Sequence, residues 1–200
     1  QVELIVPELD DRLVFMETNP GRQLTGAAAL AAASRVLTEY DTDLAKECLD
    51  VAEALWQDNK DRKFVGRWGE MPRFQALVEL IISTGKNEYK DALCAMDEKV
   101  RKAFNLSGWT LGRVMEHMEC TAFKDSVIAA ATAYKPQLDK MLQASPFAST
   151  LAHTEYIAFR QYYLHKSFPE IFSDEYLFSV INYLLGCRPG TTTNSLVSGV

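Results

Sequence analysis

The chain has 200 residues, 48% hydrophobic and 24% charged, which suits a soluble globular body with a sizeable core. Its formal net charge of -6, with no Lys/Arg cluster, excludes the basic face of a nucleic-acid binder and favours a neutral or polar small substrate. No apolar run approaches the roughly 18 residues of a membrane span. Gln1-Val2-Glu3 has neither the basic start nor the apolar stretch of a signal peptide. The chain begins without Met, so the natural N-terminus is expected elsewhere and this start does not argue for a compartment.

After a mixed opening, in which 2–6 and 13–16 read as short extended pieces, Asn19-Pro20-Gly21 marks a turn. Residues 24–37 (LTGAAALAAASRVL) form the first predicted helix. Ala is the best helix former and lets neighbouring helices approach closely, and Thr18 or Thr25 is expected as its cap. Asp41 is the expected N-cap of a second helix. That helix carries Leu44, Cys48, Val51, Ala52, Leu55 and Trp56 on one 3.6-residue stripe and closes at Asp58-Asn59-Lys60-Asp61. Trp56 is therefore a core residue.

Pro72 opens a third helix through Phe74, Leu77, Val78, Leu80 and Ile81, and Gly85 stops it. Lys86 or Asn87 leads into a fourth helix through Tyr89, Ala92, Leu93, Met96, Val100 and Phe104. A third pair spans 110–120 and 122–142, with Pro136 expected to kink or split its second member. A fourth pair spans 151–166 and 173–185, joined at Phe168-Pro169-Glu170. The sum is about eight helices in four hairpins, without a shared repeat consensus. Unequal hairpins of this kind predict a toroid or barrel, with a solenoid or bundle as the other solutions. Residues 178–200 run from an amphipathic helix into a Gly-x-x-Pro-Gly loop followed by Leu196, Val197 and Val200. That ending reads as a piece of a larger protein, cut at a functional loop.

Several motifs in order resemble glycoside hydrolase family 9. Asn182-Tyr183-Leu184-Leu185-Gly186-Cys187-Arg188-Pro189-Gly190 is similar to its Tyr-x-Leu-Gly-x-Asn-Pro helix end. Asn194-Ser195-Leu196-Val197-Ser198-Gly199-Val200 stands where a Ser-Tyr-Val-x-Gly-Phe-Gly segment follows. The Ala-rich helix before Tyr40-Asp41 resembles the same family. So do Val78-Glu79-Leu80 with Ser83-Thr84-Gly85 and Tyr89, and Tyr162-Tyr163-Leu164 with Phe168-Pro169-Glu170-Ile171-Phe172. The resemblance runs from Arg12 to Val200.

It implies an all-α fold, helical hairpins forming part of an (α/α)6 barrel, with residues 1–200 a partial catalytic domain lacking its N-terminal and C-terminal flanks. It also implies inverting hydrolysis of β-1,4-glucans. Inversion needs a base that activates water and an acid that protonates the leaving oxygen, about 6.5–9.5 Å apart. The family's base lies in an Asp-x-Gly-Asp motif before the matched region, and its acid Glu follows a His-His-Arg segment expected just past Val200. This sequence holds neither, so no catalytic residue is assigned and the fragment alone is expected to be inactive. Where the family has Asn, Arg188 stands here, and where it has Ser-Tyr, Ser195-Leu196. A Trp-Gly-Ser-Asn type motif is replaced by Leu151-Ala152-His153-Thr154-Glu155, which points to an altered cleft.

Sugar clefts pack pyranose C–H faces on aromatic rings and hydrogen-bond the hydroxyls. The substrate-binding candidates are Trp68 in Arg67-Trp68-Gly69-Glu70, Trp109 in Ser107-Gly108-Trp109 at a helix start, His153 and Arg188. Packing remains the competing reading for each Trp, and a surface or helix-capping role for Arg188. His117 and Cys120 have a His-x-x-Cys spacing, but a zinc site needs three or four ligands and nothing pairs with them. No metal and no cofactor is assigned, and no Asp-rich calcium loop stands here.

His165 beside Lys166 is read as a favourable cation at a helix end. Tyr156, Tyr162 and Tyr163 are read as ring packing between hairpins. Cys48, Cys94, Cys120 and Cys187 are read as buried free thiols, and the spacing leaves open whether one pair is bridged. The expected partner is a polysaccharide or oligosaccharide, with no nucleic acid and no membrane span. The expected location is extracellular or periplasmic. A non-catalytic helical-hairpin module binding a glycan or protein is the alternative. A six-hairpin enzyme acting on uronic acids, with a cleft lined by Arg and Lys, is a third reading.

Overall fold

The computed structural model describes residues 19–63, 70–143 and 151–187, and among them all regular structure is helical. In chain order the helices are α1 (Pro20–Leu37), α2 (Thr42–Asn59), α3 (Met71–Thr84), α4 (Asn87–Cys94), α5 (Asp97–Lys102) and α6 (Phe104–Val114). A 3-10 turn follows (Met115–His117), then α7 (Thr121–Gln143), α8 (Leu151–Ser167) and α9 (Glu175–Leu184). The expected opening strands at 2–6 and 13–16 lie outside the described residues, as do Trp68 and everything from Arg188 onward.

The helix ends follow from local chemistry. Asn19, not Thr18 or Thr25, caps α1: its side chain accepts from the Arg22 N–H at 3.0 Å, with Pro20 in the first turn. Thr25 instead donates back to the Gly21 carbonyl at 3.0 Å. Asp41 caps α2 as expected, accepting from Leu44 N at 3.0 Å. Gly85 closes α3 in the left-handed region at φ 66°, its N–H bonded to the Ile81 carbonyl.

The first hairpin packs its small face inward. Leu24, Ala27 and Ala31 of α1 are fully buried against α2 and α3. On α2 the buried positions are Ala45, Ala52, Trp56 and Asn59. Trp56 is core, edge-on to Tyr89 of α4 at 6.3 Å. Leu44 and Val51, placed on the predicted stripe, are exposed. The small residues let α1 approach along a narrow strip, and these two lie on its flank.

α3 is the central element, with neighbours in α1, α2, α4 and α6. Phe74, Ala76, Leu77, Val78, Leu80 and Ile81 are all fully buried. A helix apolar on most sides belongs inside a layer of helices rather than on its surface.

Two expectations fail here. The predicted helix over 87–104 is broken into α4, α5 and the start of α6. Leu93, Val100 and Phe104 are all buried, but on three successive elements rather than one stripe. Tertiary packing satisfied the same periodicity with turns in between. Trp109 consequently sits in the middle of α6, not at a helix start. Pro136 does not split its helix: it lies inside α7, which runs on to Gln143. Its ring leaves the Thr132 carbonyl without its helical N–H partner.

α6 runs between α3 and α8 and also meets α7. Gly112 is what permits the approach to α8, since a Cβ there would lie 2.4 Å from the Ser167 Cβ.

Candidate functional site

The feature that combines aromatic faces with polar groups lies where α6 meets α8. Trp109 is 9% exposed and packs edge-on against Phe159 at 5.2 Å, with Tyr163 tilted at 6.1 Å. Phe159 and Tyr163 are one helical turn apart and touch at 4.8 Å, and Tyr162 meets Tyr163 at 5.1 Å. Phe159 is 45% exposed, so the group has a dry back at Trp109 and a wet front at Phe159. The buried Trp109 Nε1–H has no protein acceptor, leaving a donor inside the aromatic group.

A charged triad fixes this platform to the core. Glu79 of α3 is buried and receives both Arg35 of α1 and Arg113 of α6. Arg113 Nη2 adds a bond to Glu79 Oε2 at 3.3 Å, and its guanidinium lies 5.5 Å from the centre of the Tyr163 ring. Arg35 also donates to the Glu79 backbone carbonyl at 3.1 Å, while Ser83 Oγ donates to the Ala31 carbonyl at 2.7 Å. One carboxylate facing two guanidiniums is committed to charge neutralisation, so Glu79 is not a free general acid or base. The guanidinium held over Tyr163 carries the surplus positive charge to the edge of the platform.

A second ionic group ties α7 to α9. The Tyr176 hydroxyl donates to Asp139 Oδ1, and Lys135 Nζ donates to Asp139 Oδ2 at 3.1 Å and to the Tyr176 oxygen at 3.0 Å. The Tyr176 hydrogen bond, then that of Lys135, holds the Asp139 carboxyl below its usual range. It stays ionised and is no proton donor near neutrality. On another side of α7, where it faces α5 and the start of α6, an open cavity of about 480 Å³ is lined by Phe104, Tyr134 and Gln137 together with Arg101 and Lys102.

Of the residues singled out in the sequence, Trp109 falls at the α6–α8 contact. His153 belongs to the first turn of α8, on the helix that supplies Phe159 and Tyr163. Trp68 and Arg188 lie outside the described residues. Tyr163 packs between helices as expected, whereas Tyr156 and Tyr162 face water beneath Arg160 and Lys166. His165, read as a helix-end cation, uses Nδ1 as a donor to the Phe172 carbonyl at 2.8 Å, pinning α8 to the turn before α9. Phe159 and Arg113 escaped the sequence reading. The usable signal was the Phe159/Tyr163 spacing of four, facing a Trp on the preceding hairpin.

The family model described as glycosyl hydrolase family 9 matches residues 6–200, and the chain belongs to that family. Its fold is similar to the crystal structure of a metagenome-derived glycoside hydrolase family 9 endoglucanase. The identity is 18% and the TM-score 0.67, over 90% of this chain and 39% of that one. This chain thus spans about two fifths of the length of that enzyme. No curated protein is similar enough to count as a match. The all-α reading, with hairpins forming part of an (α/α)6 barrel, stands, and no described helix is long and apolar enough to cross a membrane.

Proposed function

We propose that this chain is a partial catalytic domain of a glycoside hydrolase that cleaves β-1,4-linked glucans with inversion. The family match over residues 6–200 carries the reading. The catalytic Asp and Glu lie in flanking segments of the same protein. The Asp takes a proton from water, whose oxygen attacks the anomeric carbon. The Glu gives its proton to the departing glycosidic oxygen.

The residues here bind and orient. Phe159 offers its exposed face to a pyranose ring, backed by Trp109 and Tyr163, and the Arg113 guanidinium beside Tyr163 offers a donor to hydroxyls. Trp68, His153 and Arg188 complete the proposed contacts. A polymeric glucan does not cross a membrane, which supports an extracellular or periplasmic location.

The test is reducing-sugar release by the full natural polypeptide on a panel of β-1,4-glucans, with this 200-residue chain run alongside. Release by the parent and none by the fragment is the expected result. A parent that binds a glucan but releases no sugar would replace the proposal with the non-catalytic binding module.

A further inference from the structure

The four cysteines are not equivalent. Cys187 makes only a local contact, to the Leu185 carbonyl at 3.7 Å. Cys94 and Cys120 are brought together from different hairpins. Cys94 is the last residue of α4, and Cys120 immediately precedes α7, where its carbonyl accepts from Lys124 N at 3.1 Å. One turn back on α4, Lys90 reaches Glu119 at 3.6 Å, an ion pair that holds the two segments side by side. The Cys120 sulfur lies close enough to Cys94 to act on its thiol. Cys94 is half-buried and Cys120 exposed, so one sulfur is open to solvent and the other waits behind it. Burial first, and then the neighbouring Cys120 thiol, push the Cys94 thiol up to about 11. Cys94 therefore keeps its proton until the partner sulfur is activated.

We infer that Cys94 and Cys120 are a redox pair that closes into a disulfide by exchange with an external disulfide. The Cys120 thiolate attacks one sulfur of that reagent, breaking its S–S bond and releasing one thiol. Cys94 then loses its proton and attacks Cys120 Sγ, and the second thiol leaves. Two cysteine thiols are oxidised by two electrons, and one external disulfide is reduced to two thiols. The bridge joins the end of α4 to the start of α7 and encloses α5 and α6, so it also tethers the helix that carries Trp109. An oxidising compartment would keep it closed. The inference is independent of the glycan reading.

The test uses the full natural polypeptide incubated with oxidised glutathione, then alkylated without reductant, digested and examined by mass spectrometry. The expected product is a peptide pair joined through Cys94 and Cys120, lighter by two hydrogens than the separate peptides and released by reductant. Reduction should lower the thermal midpoint by about 5–10 °C, and the C94S/C120S double variant should show no such drop. Alkylation of both residues as free thiols after glutathione treatment would overturn the inference. So would a bridge from either of them to another cysteine. Both readings come from the wild-type protein, so a variant that fails to fold leaves the test decisive.

Discussion

Two carboxylates, each gripped by two donors from other positions, mark two different regions. Glu79 sits among α1, α3 and α6, buried between two guanidiniums beside fully buried aliphatic side chains. Asp139 sits between α7 and α9, partly open to water, with a lysine and a tyrosine hydroxyl. Both regions bury aromatic rings, Trp56, Phe74 and Tyr89 near α3 and Phe123, Phe168 and Phe172 around α7 to α9, but among the described residues only on α8 do three rings, Tyr156, Phe159 and Tyr162, stand exposed on one helix. The first region concentrates what holds the chain together. The second offers rings and charges to the surroundings, as a surface for recognition does.

That contrast breaks first at Trp109, which belongs to both regions. Trp109→Ala in the full natural polypeptide should cost about 3–5 kcal/mol of stability, because it empties a buried aromatic site. Phe159→Ala, at the wet end of the same cluster, should shift the thermal midpoint little and reduce glucan turnover roughly tenfold through one lost ring contact of about 1–1.5 kcal/mol. Paired melts and reducing-sugar assays on both variants check this. An unchanged turnover in Phe159→Ala would move the glycan contact away from α8.

Next in size is Glu79→Gln, expected to cost about 3 kcal/mol, the low end for a broken buried pair because both guanidiniums keep some contact with water. Urea unfolding measures it, and a loss within experimental error would show that Arg35 and Arg113 re-solvate freely. Gly112→Ala follows at about 2 kcal/mol, since the added Cβ meets Ser167 Cβ, an atom close to the backbone that cannot swing aside.

Much of this was legible in the chain because it is local. The Asp41 cap and the Gly85 stop are decided within a few residues, and the structure bears both out. The ordered motifs carried the family. What was missed depends on proximity across hairpins. Nothing near Glu79 in sequence announces Arg35 and Arg113, and nothing near Cys94 announces Cys120. The break after Cys94 was invisible because Leu93, Val100 and Phe104 keep a helical period while occupying three elements. The placement of Trp109 at a helix start fails for the same reason. The helix that contains it begins five residues earlier, at Phe104.

The smallest effect sharpens the comparison from the other side. Because hydrogen bonds from Tyr176 and then Lys135 depress the Asp139 carboxyl in the folded state, folding favours its ionised form. The sign follows from linkage: this stabilisation is fully present above the ordinary value of 3.8 and is lost as pH falls through the lower folded value. Partial exposure and salt screening hold it below about 1 kcal/mol. Thermal melts of wild type and Asp139→Asn should therefore differ slightly at neutral pH and converge in acid below the ordinary carboxylate range. Tyr176→Phe should remove most of the wild-type dependence, since the phenol supplies the largest share of the shift. A gap that persists undiminished into strong acid would mean that Asp139 acts through packing rather than charge. The α7–α9 region would then resemble the Glu79 side more closely than its exposure suggests.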